Sequence, residues 1–425
     1  MSSATKKRSG GATYALKDFD KAAETALFYG FTPVKTPRIE NKDHTMGASL
    51  LEQKKTLVFP HDLYPRPEEK AALLRTYTEW NLPSNPHPVM LYYRRPFGGS
   101  QTRRSSSEFH AALEIIGSHS GVADAIAIKT TYAILSDYGF NNLTLDINSL
   151  GDRESMGRFD REINTFIRKQ SAHLSGELRQ AFKQDPFEAL RSAREEWKEI
   201  QSHAPQPLGC LSEPSSLHFK EVLEYLEATD TPFRINHQLT PERQYCSHTT
   251  FEIRANDNLP ETEIDAAVAE QVAALGGPAA AAPQGDVLAF GTRHNHIAKR
   301  IGFKKEIPFV SVNIGFKKKS AEPKPAFKGA FKPKFFFIQF GAFAKMKSLP
   351  LIETLRQARI PVYHSLTKDK FVGQLDTAET TASPFVIIMG QKEALENTVV
   401  VRQMSTRAQE IIPVGKLASY LSKLR

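Results

Sequence analysis

Cysteine is almost absent: Cys210 and Cys246 are the only two in 425 residues, and they stand in no C-x-x-C spacing. Neither a disulfide framework nor a cysteine zinc site is expected, and a reducing, cytoplasmic setting fits the chain best. Long apolar runs are also absent; nothing approaches the roughly eighteen consecutive residues of a membrane span. The start of the chain is polar and basic (Lys6, Lys7, Arg8) with no apolar stretch behind it, so residues 1–12 read as a disordered tail and not as a secretory signal. There is no G-x-x-x-x-G-K-[ST], hence no P-loop. Gly98-Gly99 is a lone pair in a serine-rich loop and gives no phosphate signature. His294 and His296, with His248 upstream, have no carboxylate or cysteine at ligand spacing, so no metal site is expected.

What is present is ordinary in proportion, with 40% hydrophobic and 24% charged residues, as in a soluble globular protein. The length allows two or three domains. A net charge of +9 and a pI near 9.3 favour a polyanionic partner such as RNA, because neutralised phosphates release counterions. Many soluble proteins are as basic, so charge alone makes RNA a suspect and nothing more.

Leu16, Phe19, Ala23, Ala26 and Leu27 recur at helical spacing, predicting a helix over 14–29 that Gly30 ends, with an extended, proline-bearing stretch after it. Strands are expected at 89–93 and 113–116 around a polar loop, 98–107, then a helix over 121–138 and a strand at 142–147. A stretch rich in Glu, Arg and Lys follows and reads as a helical insertion at about 156–230. Strand patterns return at 233–236, 249–254, 286–290 and 309–314, interrupted by an Ala/Pro/Gly loop at 276–285. Residues 317–334 then hold seven lysines and three prolines against one acid, Glu322. Such a stretch buries too little apolar surface to offset its chain entropy, so 317–333 reads as a linker between a core at 13–316 and a small domain at 334–425. In that last part strands at 334–340, 360–363, 384–389 and 398–403 alternate with helices at 349–358, 371–381 and 414–424. The alternation implies a mainly parallel sheet covered by helices.

Several runs resemble the histidyl-tRNA synthetase family, in that family's order and over nearly the whole chain. Residues 30–40 (Gly-Phe-Thr-Pro-Val-Lys-Thr-Pro-Arg-Ile-Glu) resemble class II motif 1, and Arg66-Pro67-Glu68 resembles the family's Arg-Pro-Glu-Gly-Thr. Glu108-Phe109-His110 with Glu114-Ile115-Ile116-Gly117 resembles the strand closing motif 2. Asn-Ser-Leu-Gly-Asp-Arg-Glu-Ser at 148–155 is the sharpest match, and Thr249-Thr250-Phe251-Glu252 resembles the end of the histidine-specific motif. Runs at 355–362, 382–390 and 398–402 are similar to the family's anticodon-binding domain. The resemblance implies an α+β class II synthetase core, an antiparallel sheet with helices, followed by a C-terminal α/β anticodon-binding-type domain.

It also implies a chemistry that this chain departs from. Adenylation develops charge on phosphate oxygens, which fixed guanidinium groups stabilise better than ammonium groups. Aligning Arg95-Pro96 with the Arg-Pro after motif 2 puts Tyr92 at the motif 2 arginine, and counting back from Thr249 puts Pro241 at the histidine-specific one. Ile314-Gly315-Phe316-Lys317-Lys318 stands where motif 3 has Ile-Gly-Leu-Glu-Arg, so Lys318 replaces the third. Shifts of two residues would instead place Arg94 and Arg243 at the first two positions, which makes Arg94, Arg243 and Lys318 the candidate catalytic set. The implied substrate pocket keeps Glu68, Glu114, Tyr245 and Gly291, but Glu69-Lys70 replaces Gly-Thr and His294 replaces a tyrosine. Glu68 and Glu114 either hold an imidazole or amine or are plain charged residues at a cleft rim.

Three functions follow. The first is a synthetase paralogue without adenylation that binds RNA or a protein. The second is a divergent histidine–tRNA ligase, the only case that implies ATP and Mg. The third is a regulatory subunit of the first enzyme of histidine biosynthesis, weakened by the tRNA-reading type of C-terminal domain. The first is preferred. A homodimer is expected through 30–40, with Phe28, Phe31, Val34 and Ile39 supplying its apolar face. RNA contacts are expected from Lys317, Lys319, Lys324 and Lys328, and no membrane association is expected.

Overall fold

A computed structural model describes residues 19–51, 61–84, 88–95, 107–192, 194–255, 285–318, 321–326, 333–366, 368 and 370–424. The tail at 1–12, the loop residues 98–106 and 276–284, and Lys319 and Lys328 lie outside the described residues.

The apolar alternation of the first three hundred residues closes into one sheet of eight strands. They are β1 (Thr32–Pro33), β2 (Val89–Arg94), β3 (Glu108–Ile116), β4 (Leu143–Ser149), β5 (Phe233–Ile235), β6 (Ser247–Ala255), β7 (Val287–Arg293) and β8 (Phe309–Lys317). Their order is β1-β2-β3-β8-β7-β6-β4-β5. The outer pairs β1–β2 and β4–β5 are parallel, and every pairing between them is antiparallel. Because side chains alternate across a strand, Phe109, Ala111 and Leu113 of β3 point to one face, and Ala112 and Glu114 to the other.

The first face packs on α1 (Lys21–Phe28), α4 (Val122–Asp137) and α9 (Glu213–Ala228). Helix α4 is apolar on nearly all sides, as a helix sandwiched between a sheet and other helices must be. The second face packs on α3 (Pro67–Glu79), against which α2 (Asn41–Ser49) lies, and on the short α10 (Ile297–Arg300). Between β4 and β5 run α5 (Arg153–Lys169), α6 (Gly176–Gln184), α7 (Glu188–Arg191) and α8 (Glu195–Gln201). Their apolar faces close on the buried Trp197, Phe159 and Phe182 as a separate cluster.

The second sheet is built by β9 (Phe335–Gln339), β10 (Val362–His364), β11 (Phe385–Met389), β12 (Thr398–Gln403) and β13 (Gln409–Pro413). Its helices are α11 (Ala342–Gln357), α12 (Phe371–Thr380), α13 (Gln391–Glu396) and α14 (Val414–Lys423). The order is β10-β9-β11-β12-β13. Strands β10, β9 and β11 are parallel, whereas β12 runs antiparallel to both β11 and β13; the five residues between β12 and β13 let the chain only double back. This is the α+β core plus α/β domain that the resemblance implied. The expected dimer face is largely spent inside the chain: Phe28, Phe31 and Val34 are buried in its own core, and only Ile39, at 40% exposed, remains open.

Candidate active site

The second sheet face carries Glu114, one of the expected pocket residues. In the register of the strands Leu91 faces Glu114 and Glu114 faces Ser311, so Leu91, Tyr93 and the following Arg95 share a face with Glu114. Helix α3 starts with Pro67, whose fixed φ suits a first helical position, and lays its first turns over that face.

Lys70, 1% exposed, reaches from α3 to Glu114, which is fully buried. Its ammonium donates to Glu114 Oε1 at 3.1 Å and to Ser311 Oγ at 2.7 Å. The Tyr93 hydroxyl donates to the same carboxylate oxygen at 2.9 Å, and the Ser311 hydroxyl donates to Oε2. Burial, then the charge of Glu114, pushes the Tyr93 phenol well above its ordinary range, so it stays a donor. One residue before Lys70, Glu69 takes Arg95 through both oxygens at 2.7 and 2.9 Å, while Arg95 also donates to the Asp62 carbonyl at 2.8 Å.

His294 is fully buried beside this cluster. Its Nδ1 lies 2.7 Å from the Tyr245 carbonyl oxygen; a carbonyl only accepts, so Nδ1 carries the proton. Burial, then the charge of Lys70, lowers its pKa to about 3. Its ring lies parallel to that of Tyr245, 6.2 Å away, and the Tyr245 hydroxyl donates to the Pro65 carbonyl at 2.9 Å. Glu68 is half-buried at the start of α3. The structure therefore brings Glu114, Tyr245 and His294 together. Gly291 lies under the pocket instead: it faces Phe251 across β6 and β7, and a Cβ there would lie 2.2 Å from that ring.

The candidate arginines lie elsewhere. Tyr92 and Arg94 occupy the opposite face of β2. The Tyr92 hydroxyl donates to Asp20 at 3.0 Å, and Arg94 pairs with Asp20 at 2.9 Å above the Phe109 ring. Strand alternation thus places Arg95, and neither of the two considered, on the pocket side. Leu91↔Glu114 pairing is the signal that identifies it, and one strand read alone does not contain that pairing. Pro241 is buried. Arg243 is held by Asp160 of α5 at 2.6 Å and lies over Phe187. Lys318 pairs with Glu322 at 2.7 Å, and Glu322 also accepts from the Tyr138 hydroxyl at 3.0 Å. Among the RNA candidates, Lys317 and Lys324 are exposed.

The chain itself roofs the rest of this face. Residues 61–65 cross it, with the Leu63 carbonyl accepting from Asn313 Nδ2 at 2.9 Å. His61 lies 3.2 Å from Glu252, and Tyr64 packs on Phe290 at 4.9 Å between ring centroids. Leu63 presses on Gly315, where a Cβ would meet its Cδ2 at 2.5 Å. Among the described residues no group of three or more His, Cys, Asp or Glu is arranged to hold a metal ion, and no helix is long and apolar enough to cross a membrane.

Residues 342–424 match the anticodon binding domain family. The histidine–tRNA ligase of Geobacillus thermodenitrificans (strain NG80-2) is 27% identical over 411 residues, 92% of this chain and 90% of that one. The histidine–tRNA ligase of Bacillus velezensis is 27% identical over 418 residues, 94% of this chain and 92% of that one. A solved apo histidyl-tRNA synthetase from S. aureus aligns with 93% of this chain and 92% of its own at 21% identity, with a TM-score of 0.47.

Proposed function

As the chain belongs to the histidyl-tRNA synthetase family, we propose that it is a member that binds RNA and no longer adenylates histidine. The observation that carries this reading is the pairing of the pocket's own charges. Glu114, which would hold a substrate's cationic group, is taken by Lys70, and Arg95, on the same sheet face, is taken by Glu69. A guanidinium serves phosphoryl chemistry when its fork is free to meet developing charge; here Arg95 is already bound on both sides. ATP fits these residues poorly, since Leu63 lies on Gly315 in the run resembling motif 3 and Lys318 is paired with Glu322.

The RNA half of the reading rests on the anticodon-binding match and on charge. In the second sheet Ile411, 64% exposed, stands on the same face as Val400 and Arg402, beside the strands that α12 covers. Lys317 and Lys324 add exposed charge at the junction between the two sheets.

Two measurements test the reading on the full chain. Histidine-dependent ATP–pyrophosphate exchange by the purified protein is expected to stay at background, and robust exchange would promote a divergent histidine–tRNA ligase in its place. Filter binding to a tRNA pool should weaken with salt by roughly 0.7 log units per log unit of salt for each single-strand phosphate neutralised. Replacing Lys317, Lys318, Lys319, Lys324 and Lys328 together by Gln should flatten that slope. Equal slopes for the two proteins would remove the lysine segment from the RNA surface.

A further inference from the structure

We propose that the buried carboxylate of Glu114 is the floor of a site for a primary ammonium group, whose resident ligand is the side chain of Lys70. The proposal deepens the reading above and rests on its view that the family's substrate pocket is closed.

The geometry is that of a recognition site. Glu114 is fully buried, and a carboxylate there needs a neighbouring cation as well as hydrogen bonds. Tyr93 and Ser311 supply hydroxyls to its oxygens but no charge. The ammonium of Lys70 supplies the charge at 3.1 Å and finds a second acceptor in Ser311 Oγ at 2.7 Å. His294 Nε2, buried nearby, has no hydrogen-bond partner among the described residues. Carboxylate, hydroxyl acceptor and aromatic walls make a chemistry selective for a small ammonium over a neutral or anionic group. Lys70 reaches it by four methylenes from α3, so the ligand arrives covalently and cannot dissociate.

The neighbouring residue makes the arrangement self-consistent. Glu69 and Lys70 stand where the family's Gly-Thr has no charge, and they bring one charge of each sign. Each meets its opposite in the site, Glu69 with Arg95 and Lys70 with Glu114. The double change leaves the local net charge as it was and fills both halves of the pocket at once. A single change would leave one buried charge uncompensated.

Truncating Lys70 at Cβ removes the equivalent of propylammonium, which is therefore the probe. Lys70→Ala should melt well below wild type, and propylammonium chloride should raise its melting temperature saturably. Equal concentrations of sodium chloride or 1-propanol should not. Wild type and the double variant Lys70→Met with Glu114→Gln, which carries no buried charge, should not respond to propylammonium beyond the salt control. A folded Lys70→Ala that ignores propylammonium, or an equal shift in all three proteins, overturns the proposal. If Lys70→Ala folds only when refolded with propylammonium, the site is supported. If it fails in every buffer while the double variant folds, the site is overturned. Pyrophosphate exchange by wild type tests the underlying reading separately, because rescue of Lys70→Ala supports the ammonium site whichever way exchange falls.

Discussion

Asp152 ties the starts of two helices together with one side chain. Its carboxylate caps α5 by accepting from the Ser155 N–H at 2.8 Å and takes the Ser212 hydroxyl at 2.7 Å. Its own N–H donates to Ser215 Oγ, in the first turn of α9, at 3.1 Å. Burial pushes the carboxyl up, but the hydrogen bonds from Ser155 and Ser212 outweigh it and hold the pKa at about 2. Gly151, at φ +67°, turns the chain into this clasp, and a Cβ there would lie 2.4 Å from Ser155 Oγ. The run 148–155, where the resemblance is sharpest, thus works as structure. Asp152→Ala should cost about 0.5–2 kcal/mol in urea unfolding, and an unchanged midpoint would remove the clasp from the account. Since folding lowers this pKa, its stabilisation is whole above pH 3.8 and fades toward pH 2. His294 acts over a milder range. The unfolded imidazole binds a proton below about 6.5 and the folded one only near 3, so nothing is lost above pH 6.5. Below it about 1.4 kcal/mol goes with each pH unit until about 3. The unfolding midpoint of His294→Phe should therefore fall less than that of wild type between pH 7 and 5; parallel falls would mean that another group sets the acid sensitivity.

At the scale of elements, packing between strands decides what one strand cannot. Gly291 leaves room for Phe251, and Gly291→Ala should cost about 1–3 kcal/mol through overpacking. Combining it with Phe251→Leu should recover part of that loss in the same denaturation assay, and strict additivity would show that the two do not share the space. Elements with a plain apolar pattern were legible in advance: α4, β4, β8 and β11 each lie within a few residues of their expected positions. Helix α2 was not, because it buries only Asp43 and Gly47. It is held by Arg75 reaching Asp43 at 2.9 Å and by Gly47 approaching the start of α3 so closely that a Cβ would lie 2.7 Å from the Glu68 nitrogen. Strand β13 went unseen for a similar reason: Ile412 is its one buried residue, and its place comes from pairing with β12. Helix α11 begins at Ala342 and continues through Pro350, well before the expected start at 349.

Across the whole molecule the two sheets share one apolar core, with Phe335, Phe337 and Ile387 in the same cluster as Phe31 and Ile126. Charged contacts rim the seam: Arg356 reaches Asp137 at 3.0 Å, and the Tyr29 hydroxyl donates to Glu353. Removing the C-terminal part would bare that core, which is why the RNA tests use the full chain. Thermal unfolding should be a single transition by tryptophan fluorescence and far-ultraviolet dichroism, and two separated transitions would contradict a shared core. The family relation supports a homodimer through 30–40 as a proposal, with Ile39 as the exposed apolar side chain of that run. Light scattering should report a dimer that Ile39→Asp weakens, and a monomer at micromolar concentration would defeat the proposal.

The strongly apolar elements and the resemblance to the family were readable from the chain, because helical and strand periodicities and short motifs are local properties of neighbouring residues. The state of the pocket was not. Which side of β2 an arginine faces depends on the partner strand, so Arg95 came into view only through the pairing of Leu91 with Glu114. That Glu69 and Lys70 meet Arg95 and Glu114 depends on how α3 lies over the sheet. Opposite charges far apart in sequence find each other only once burial has removed the water that would otherwise solvate them separately.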